Sequence, residues 1–149
     1  MRAERSRSGI RVVLDTNVWI SAALSSGGAP ASAVRFVLAQ HRVVLSTAIF
    51  AELESRLWRA KFDRYLSIET RRQLLHDIAA VADWIEIPEN LAQTGWSRDA
   101  DDDHFIRAAL ASGAQLLITG DADLLEVPEI PGLVITDPAR SLQLLRSPD

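Results

Sequence analysis

Short apolar runs alternate with stretches of helical periodicity along most of this chain. Runs of Val, Leu and Ile bounded by polar or turn residues predict strands. Such runs occur at residues 11–15 (RVVLD), 42–46 (RVVLS), 84–87 (WIEI), 115–120 (QLLITG) and 133–136 (LVIT). Because WIEI is followed by Pro88, we expect it to be a short strand at a sheet edge.

The segments between these runs predict helices, with apolar residues recurring every three or four positions. They cover residues 16–25, 31–40, 47–62, 67–83, 99–113 and 138–146, with one further helical turn at 121–125. Pro30 is placed to start a helix, Ser67 to cap one and Gly113 to stop one. Strands that alternate with helices predict a parallel sheet covered on both faces. The predicted fold class is a three-layer α/β/α domain.

Composition is that of an ordinary globular protein, with 149 residues, 48% of them apolar and 24% charged. There is no cysteine, which excludes disulfides and zinc–thiolate sites. No apolar run approaches the ~20 residues of a membrane span, so we expect a soluble, cytoplasmic protein. Residues 1–9 (MRAERSRSG) are polar and Arg-rich, and we expect a flexible arm ahead of a single domain at 10–146.

Charge is divided unevenly along the chain. Residues 1–72 carry 12 basic and 6 acidic side chains, whereas residues 73–149 carry 4 basic and 14 acidic ones. This asymmetry fits a basic surface beside an acidic pocket, although a solvated surface of mixed charge would also produce it.

Several acidic residues occupy positions typical of a site. Asp15 and Asp121 each follow a predicted strand, and ligands of open parallel sheets bind beyond the carboxyl ends of the strands. Asp103, in the first turn of the helix before the second of these strands, can point to the same place. Glu52 or Glu54, on the helix after strand two, could complete the group, and helical geometry does not choose between them.

Carboxylates placed this close must take up protons or bind a cation. Two unit charges ~4 Å apart repel by about 4 kcal/mol at an effective dielectric of ~20. Hard oxygen ligands select Mg²⁺ or Mn²⁺.

Each acid also has a structural interpretation. Asp15 could cap the helix that starts at Thr16, and Asp121 and Asp123 could be turn or cap residues. The acids of DADDD (99–103) favour a helix N-terminus by charge alone. His104 is more typical of a surface or supporting residue than of a ligand.

Three segments in order, VVLDTNVWISAAL, STAIFAELESRL and DADDDHFIRAALASGAQLLITGDADLL, closely resemble PIN-domain ribonucleases. The nearest branch is the VapC-like toxin components of bacterial toxin–antitoxin pairs, and the resemblance covers residues 10–145. It implies a PIN-like central sheet of about five strands in the order 3-2-1-4-5.

The resemblance also implies a catalytic metal site formed by Asp15, Glu52, Asp103 and Asp121. Glu52 is chosen over Glu54 because it precedes a leucine, and Asp103 over its neighbours because it directly begins DHFIRAALASGA. Asp123 is a further acid for a second metal or for the turn. Asn17 and Thr119 sit where the family has polar residues that orient the carboxylates.

The activity implied is hydrolysis of RNA phosphodiesters with Mg²⁺ or Mn²⁺, by in-line attack of water that leaves a 5′ phosphate. A cognate antitoxin and a homodimer are implied as partners. Candidates for guiding the RNA backbone lie on and after the third helix, where a solvated helical face is the alternative interpretation: Arg56, Arg59, Lys61, Arg64, Arg71 and Arg72.

Three alternative functions fit the sequence less well. A haloacid-dehalogenase-type phosphatase needs a second acid two residues after the first, where this chain has Asn17. A signalling receiver domain needs a lysine after a late strand, and the single lysine is Lys61. A PIN-like binding module without catalysis would keep the fold and not need the acids.

Overall fold

The structure of the protein is a computed structural model that describes residues 9–92, 94–97 and 99–146. The predicted Arg-rich arm falls almost entirely on residues 1–8, which lie outside the described residues, so the arm stays a prediction.

A five-stranded parallel sheet has the strand order β3-β2-β1-β4-β5, which confirms the predicted order. The strands are β1 (Arg11–Leu14), β2 (Arg42–Leu45), β3 (Asp83–Trp84), β4 (Leu116–Ile118) and β5 (Val134–Thr136). The helices that flank the sheet are α1 (Thr16–Leu24), α2 (Ala29–Gln40), α3 (Thr47–Leu57), α4 (Ile68–Val81), α5 (Glu89–Ala92), α6 (Asp103–Ser112), α7 (Ala122–Leu125) and α8 (Pro138–Arg146). The three-layer α/β/α class is therefore confirmed.

The central strands are apolar on both faces because helices cover the sheet on both sides. β1 and β2 share the sequence RVVL, and the last three residues of each are buried. Helix side chains such as Ile49, Leu53 and Phe105 complete the core and are almost fully buried. Burial of each such side chain stabilises the fold by about 1.5–3 kcal/mol relative to exposure.

The third helix is shorter than the predicted range of 47–62. α3 ends at Leu57, because Arg59 adopts an extended backbone (φ −62°, ψ 142°), and a separate 3₁₀ turn follows at Ala60–Phe62. The apolar pattern continues through this turn because Leu57 and Leu66 are still core residues. The spacing of apolar residues therefore did not predict the end of the helix at Leu57.

The predicted strand at 84–87 is also shorter in the structure. Only Asp83–Trp84 form β3, at the edge of the sheet beside β2. Ile85 donates its backbone N–H to the Leu45 carbonyl (2.9 Å), and Pro88 limits further pairing.

Near the acidic run, the predicted helix at 99–113 is divided in two. A 3₁₀ turn at Ala100–Asp102 precedes α6. α6 ends at Gly113 in the left-handed conformation (φ 70°), as predicted. No helix in the described part of the chain combines the length and apolarity that crossing a membrane requires.

Candidate active site

Two neighbouring strands bring Asp15 and Asp121 to the same edge of the sheet. β1 pairs with β4 in the register Leu14↔Ile118, and the Asp15 N–H donates to the Ile118 carbonyl (3.0 Å). Asp15 therefore lies beside Thr119, and Asp121 follows two residues later. Both acids stand at the carboxyl ends of the strands, where ligands of parallel sheets bind.

Thr119 links these two acidic positions. Its hydroxyl donates to Asp15 Oδ2 (2.5 Å) and accepts the backbone N–H of Asp121 (3.0 Å). Thr119 has no exposed surface. A buried hydroxyl with one donor and one acceptor role fixes both neighbours, so Thr119 holds the Asp15 carboxylate in one orientation.

Asp15 and Asp121 also cap helices, which the sequence had offered as an alternative to a functional role. Asp15 Oδ1 accepts the Asn17 N–H (3.1 Å) at the start of α1, and Asp121 Oδ1 accepts the Asp123 N–H (2.9 Å) at the start of α7. The Asn17 contribution comes from its backbone, and its side chain is exposed. Each cap engages Oδ1, and Asp15 Oδ2 also accepts from Thr119. A carboxylate oxygen has two lone pairs, so these hydrogen bonds leave acceptor capacity for a cation.

Asp15 sits in an environment that resists its ionisation. It is 3% exposed, and this burial is the largest cause that raises its pKa. The hydrogen bonds from Thr119 and Asn17 lower the pKa, whereas the charges of Glu52 and Asp121 raise it. The net effect is a raised pKa, which a bound cation would reverse.

Asp102 is the third carboxyl group in this place. Burial, a hydrogen bond to the Asp121 carboxylate and the negative charges of Asp121, Asp99 and Asp15 raise its pKa to about 7. A pKa of about 7 keeps part of the Asp102 population protonated at neutral pH, and the protonated carboxyl donates to Asp121.

Asp103 has a different neighbour. Its Oδ1 accepts the Ser97 N–H (2.7 Å), and its Oδ2 would lie 3.2 Å from a Cβ added at Gly95. Asp103 is 2% exposed. It therefore anchors the segment 94–97, while Asp102 makes the contact with Asp121 that the sequence had suggested for Asp103.

Glu52 is the member of the Glu52/Glu54 pair that faces the acids. Glu54 is exposed, whereas Glu52 is half-buried on α3 and its charge reaches Asp15. Glu52 Oε1 accepts from His104 Nε2 (2.8 Å), and Oε2 lies 3.4 Å from Arg56 Nη1. Burial raises the pKa of Glu52, but the hydrogen bond from His104 and the charges of His104 and Arg56 outweigh it, so its pKa is lowered.

A second acidic group extends outward from Asp102. One carboxylate oxygen from each of Asp99, Asp102 and Asp123 lies within 4.8 Å of the other two. Asp123 was predicted as an additional acid, whereas Asp99 was treated only as part of the helix start. The sequence did not single out Asp99, because DADDD contains four acids in similar local surroundings.

Two observations fit this group of side chains to a divalent cation. Glu52 Oε2 and Asp102 Oδ2 are buried and have no hydrogen-bond partner among the residues that the structure describes. Buried carboxylate oxygens without donors are costly, and a hard cation with oxygen ligands would satisfy them. The residues that could hold Mg²⁺ or Mn²⁺ are Asp15, Glu52, Asp102 and Asp121, with Asp99 and Asp123 beside them.

The predicted basic residues divide into three environments. Arg59, Lys61 and Arg64 are exposed beyond the end of α3, and Arg72 is exposed on α4. Arg56 pairs with Glu52. Arg71 is 3% exposed, donates to Asp63 Oδ1 (3.0 Å) and lies over the Trp58 ring. The suggestion that Arg71 contacts RNA is therefore wrong, because its guanidinium is used inside the fold.

Comparisons with known proteins agree with this architecture. The crystal structure of VapBC2 from Rickettsia felis bound to a DNA fragment from their promoter has a chain with TM-score 0.58 and 16% identity, covering 86% of this chain and 98% of that one. PAE2754 from Pyrobaculum aerophilum gives TM-score 0.55 and 15% identity, covering 96% and 94%. These likenesses concern the fold.

Sequence similarity carries the family assignment. An uncharacterized protein of Methanocaldococcus jannaschii, MJ1680, is 33% identical over 119 residues, which is 79% of this chain and 75% of that protein. The family model described as PIN domain matches residues 11–123, a range that includes Asp15, Glu52, Asp102 and Asp121. The chain belongs to the PIN-domain family.

Proposed function

We propose that this protein is a metal-dependent endoribonuclease and the toxin of a toxin–antitoxin pair. The observation that carries the proposal is that the strand register brings Asp15 and Asp121 together at the carboxyl ends of β1 and β4, with Asp102 beside them and buried carboxylate oxygens of Glu52 and Asp102 that have no hydrogen-bond partner among the described residues. A fold has little reason to gather these charges unless something positive binds among them, and the family membership gives that cation a nuclease role.

The proposed ligands are Asp15, Glu52, Asp102 and Asp121, with Asp123 as an additional acid. Asp102 replaces the sequence-based choice of Asp103 because Asp102 contacts Asp121, whereas Asp103 accepts from Ser97. Thr119 orients Asp15 through its hydroxyl. Asn17 acts through its backbone at the α1 cap, and its exposed side chain is available to substrate.

When bound, Mg²⁺ or Mn²⁺ supplies a Lewis acid that favours deprotonation of water and neutralises charge on the scissile phosphate. The chain's own part is to hold four carboxyl groups in place at the strand ends. A cation held by these residues would compete with the proton on Asp102, whose pKa is raised to about 7, so cation binding is expected to be weaker below pH about 7.

RNA is the proposed substrate, bound through its backbone. The exposed Arg59, Lys61 and Arg64 supply charge that does not depend on base sequence. Arg56, on the same helix as Glu52, forms an ion pair with that acid. Selectivity would then arise from RNA shape and single-stranded loops.

An antitoxin and a second copy of the chain are the proposed protein partners, in the cytoplasm. The fold likeness to VapBC2, a pair whose structure includes promoter DNA, supports the first. Apolar side chains exposed on α1, α2 and α4 support association generally, since Leu24, Leu38 and Val81 are 40%, 40% and 38% exposed. Light scattering of the purified chain, alone and coexpressed with the neighbouring reading frame, tests both.

The nuclease is tested with structured RNA, Mn²⁺ or Mg²⁺, and EDTA. We expect cleavage that EDTA abolishes and that Asp15→Asn lowers by about 100-fold or more, because losing a ligand exceeds the ~10–100-fold typical of residues that orient ligands. Asp102→Asn should act like Asp15→Asn, and Asp103→Asn should retain more activity. Asp77→Asn, an exposed acid on α4, is the matched control.

Other outcomes would favour the alternatives. Cleavage that persists in EDTA or in Asp15→Asn would contradict the metal mechanism. RNA binding without cleavage would favour a binding module. Release of phosphate from small phosphate esters would favour the phosphatase, although Asn17 lacks the second acid that such enzymes require.

A further inference from the structure

His104 is not explained by the family resemblance, yet it touches a proposed ligand directly. It is the second residue of α6 and its side chain is 16% exposed. Its Nε2 lies 2.8 Å from Glu52 Oε1. An ionised carboxylate can only accept a hydrogen bond, so this contact requires Nε2 to be the nitrogen that donates.

The two oxygens of Glu52 have different environments. Oε1 is engaged by His104, whereas Oε2 is buried, makes no hydrogen bond among the described residues and lies 3.4 Å from the Arg56 guanidinium. The buried Thr16 hydroxyl lies near the same carboxylate and also favours its ionised form. We propose that His104 is a positioning residue that holds Glu52 by Oε1 and so presents Oε2 to the metal ion. This inference rests on the proposed function.

Three consecutive side chains support this role. Asp102 contacts Asp121, Asp103 accepts from Ser97 and His104 reaches Glu52. Residues that follow one another on a helix point in directions about 100° apart. The three side chains at the start of α6 therefore contact three different parts of the fold, namely the residues after β4, the segment 94–97 and helix α3. The imidazole also packs on Phe105, with ring centroids 4.1 Å apart, which restricts its rotation.

Arg56 cannot replace His104 in this role. The guanidinium approaches the oxygen that the metal would use, so it competes with the ion instead of orienting the carboxylate. Only a donor on Oε1 leaves Oε2 free. Loss of the His104 donor would let Glu52 turn both oxygens towards Arg56.

The test compares His104→Gln with His104→Met, two side chains of similar length and shape of which only Gln keeps an N–H donor. Binding of Mn²⁺ alone is measured by calorimetry without RNA, and thermal melting verifies folding. We expect Met to weaken Mn²⁺ binding about 10-fold, as is typical for loss of a residue that orients a ligand. Gln should restore most of the affinity, and His76→Met on the exposed face of α4 should change nothing.

The outcomes separate this inference from the nuclease proposal. If the wild-type protein binds no Mn²⁺, or Asp15→Asn binds it equally well, the metal site itself is wrong. If the wild type binds and the Gln and Met variants have equal affinity, only the role of His104 is overturned. A further prediction is that Met substitution has no effect on Mn²⁺ affinity in a Glu52→Gln background.

A measurement on the wild type keeps the inference testable if both variants unfold. Nitrogen NMR of the imidazole should show a protonated Nε2 without metal and after saturation with Mg²⁺, with a shift on binding. Loss of the Nε2 proton when Mg²⁺ binds would indicate that His104 is itself a metal ligand. Unchanged nitrogen resonances would indicate that His104 is not coupled to the metal site. Either result overturns the positioning role.

Discussion

Asp102 gives the protein a pH dependence that can be measured without substrate. Its pKa is about 7 in the folded protein and about 4 in an unfolded chain. Between these values the folded state holds a proton that the unfolded state has lost, so the free energy of unfolding falls as pH rises from about 4 to about 7. Asp102→Asn removes this titration and should be the more stable protein at pH about 8.

The expected gain is about 1 kcal/mol, because solvent at the open side of the acidic group screens the repulsion. This corresponds to a melting temperature about 2–4 °C higher. The measurement is the difference between variant and wild type in thermal melts at pH about 5 and about 8. Asp77→Asn, which changes an exposed acid on α4, is the control and should show no such difference. A gain at both pH values alike would contradict the raised pKa of Asp102.

The choice between Asp102 and Asp103 shows where sequence reasoning about the site stopped. Both follow the same run of acids, and both fit an acid at a helix start. The structure separates them by a 3₁₀ turn at Ala100–Asp102 that places Asp102 just before α6. A change in local helix type of one turn is not visible in residue identity, yet it decides which carboxyl group meets Asp121.

The end of helix α6 at Gly113 was predictable from the sequence. Gly113 follows the last turn with φ 70°, a conformation that costs other residues roughly 1–2 kcal/mol. Nothing lies within 4 Å of a Cβ added there, so the cost of Gly113→Ala is conformational. We expect the free energy of unfolding to fall by about 1 kcal/mol, measured by urea denaturation.

A matched glycine distinguishes backbone strain from loss of any glycine. Gly27 also has open space around an added Cβ, and its φ lies outside the left-handed region. Gly27→Ala should therefore leave stability unchanged or raise it slightly, because alanine restricts the unfolded chain. Equal losses in both variants would contradict the assignment of Gly113 as a strained helix end.

Element types were predictable because several local signals agreed, whereas the strand order was implied only by the resemblance to PIN-domain proteins. RVVL in β1 and β2 is apolar, β-branched and bounded by polar residues, and each copy leads into a capped helix. Ends were less predictable where the core continued past them. Leu57 and Leu66 are both buried, so the break at Arg59 left no gap in the hydrophobic pattern.

The acidic and basic residues that are unevenly divided along the chain also occupy different places in the folded protein. The acidic positions lie at the strand ends, whereas Arg59, Lys61 and Arg64 are exposed past α3, the helix that carries Glu52. A polyanion approaching the acids would be repelled unless basic groups offset the charge nearby. If RNA is the substrate, as proposed, its backbone would therefore need this basic group in order to approach the acids.

Salt dependence of RNA binding tests this arrangement on a variant in which cleavage is expected to be slow. In an Asp15→Asn background, log K should fall linearly with log salt, and single-stranded RNA contributes a slope of about 0.7 for each phosphate neutralised. Replacing Arg59, Lys61 and Arg64 together by alanine should reduce the slope by about 2. Arg140→Ala, an exposed arginine on α8, is the control for loss of charge elsewhere. An unchanged slope in the triple variant, or an equal change per charge in Arg140→Ala, would mean that RNA reaches the acidic site over another surface.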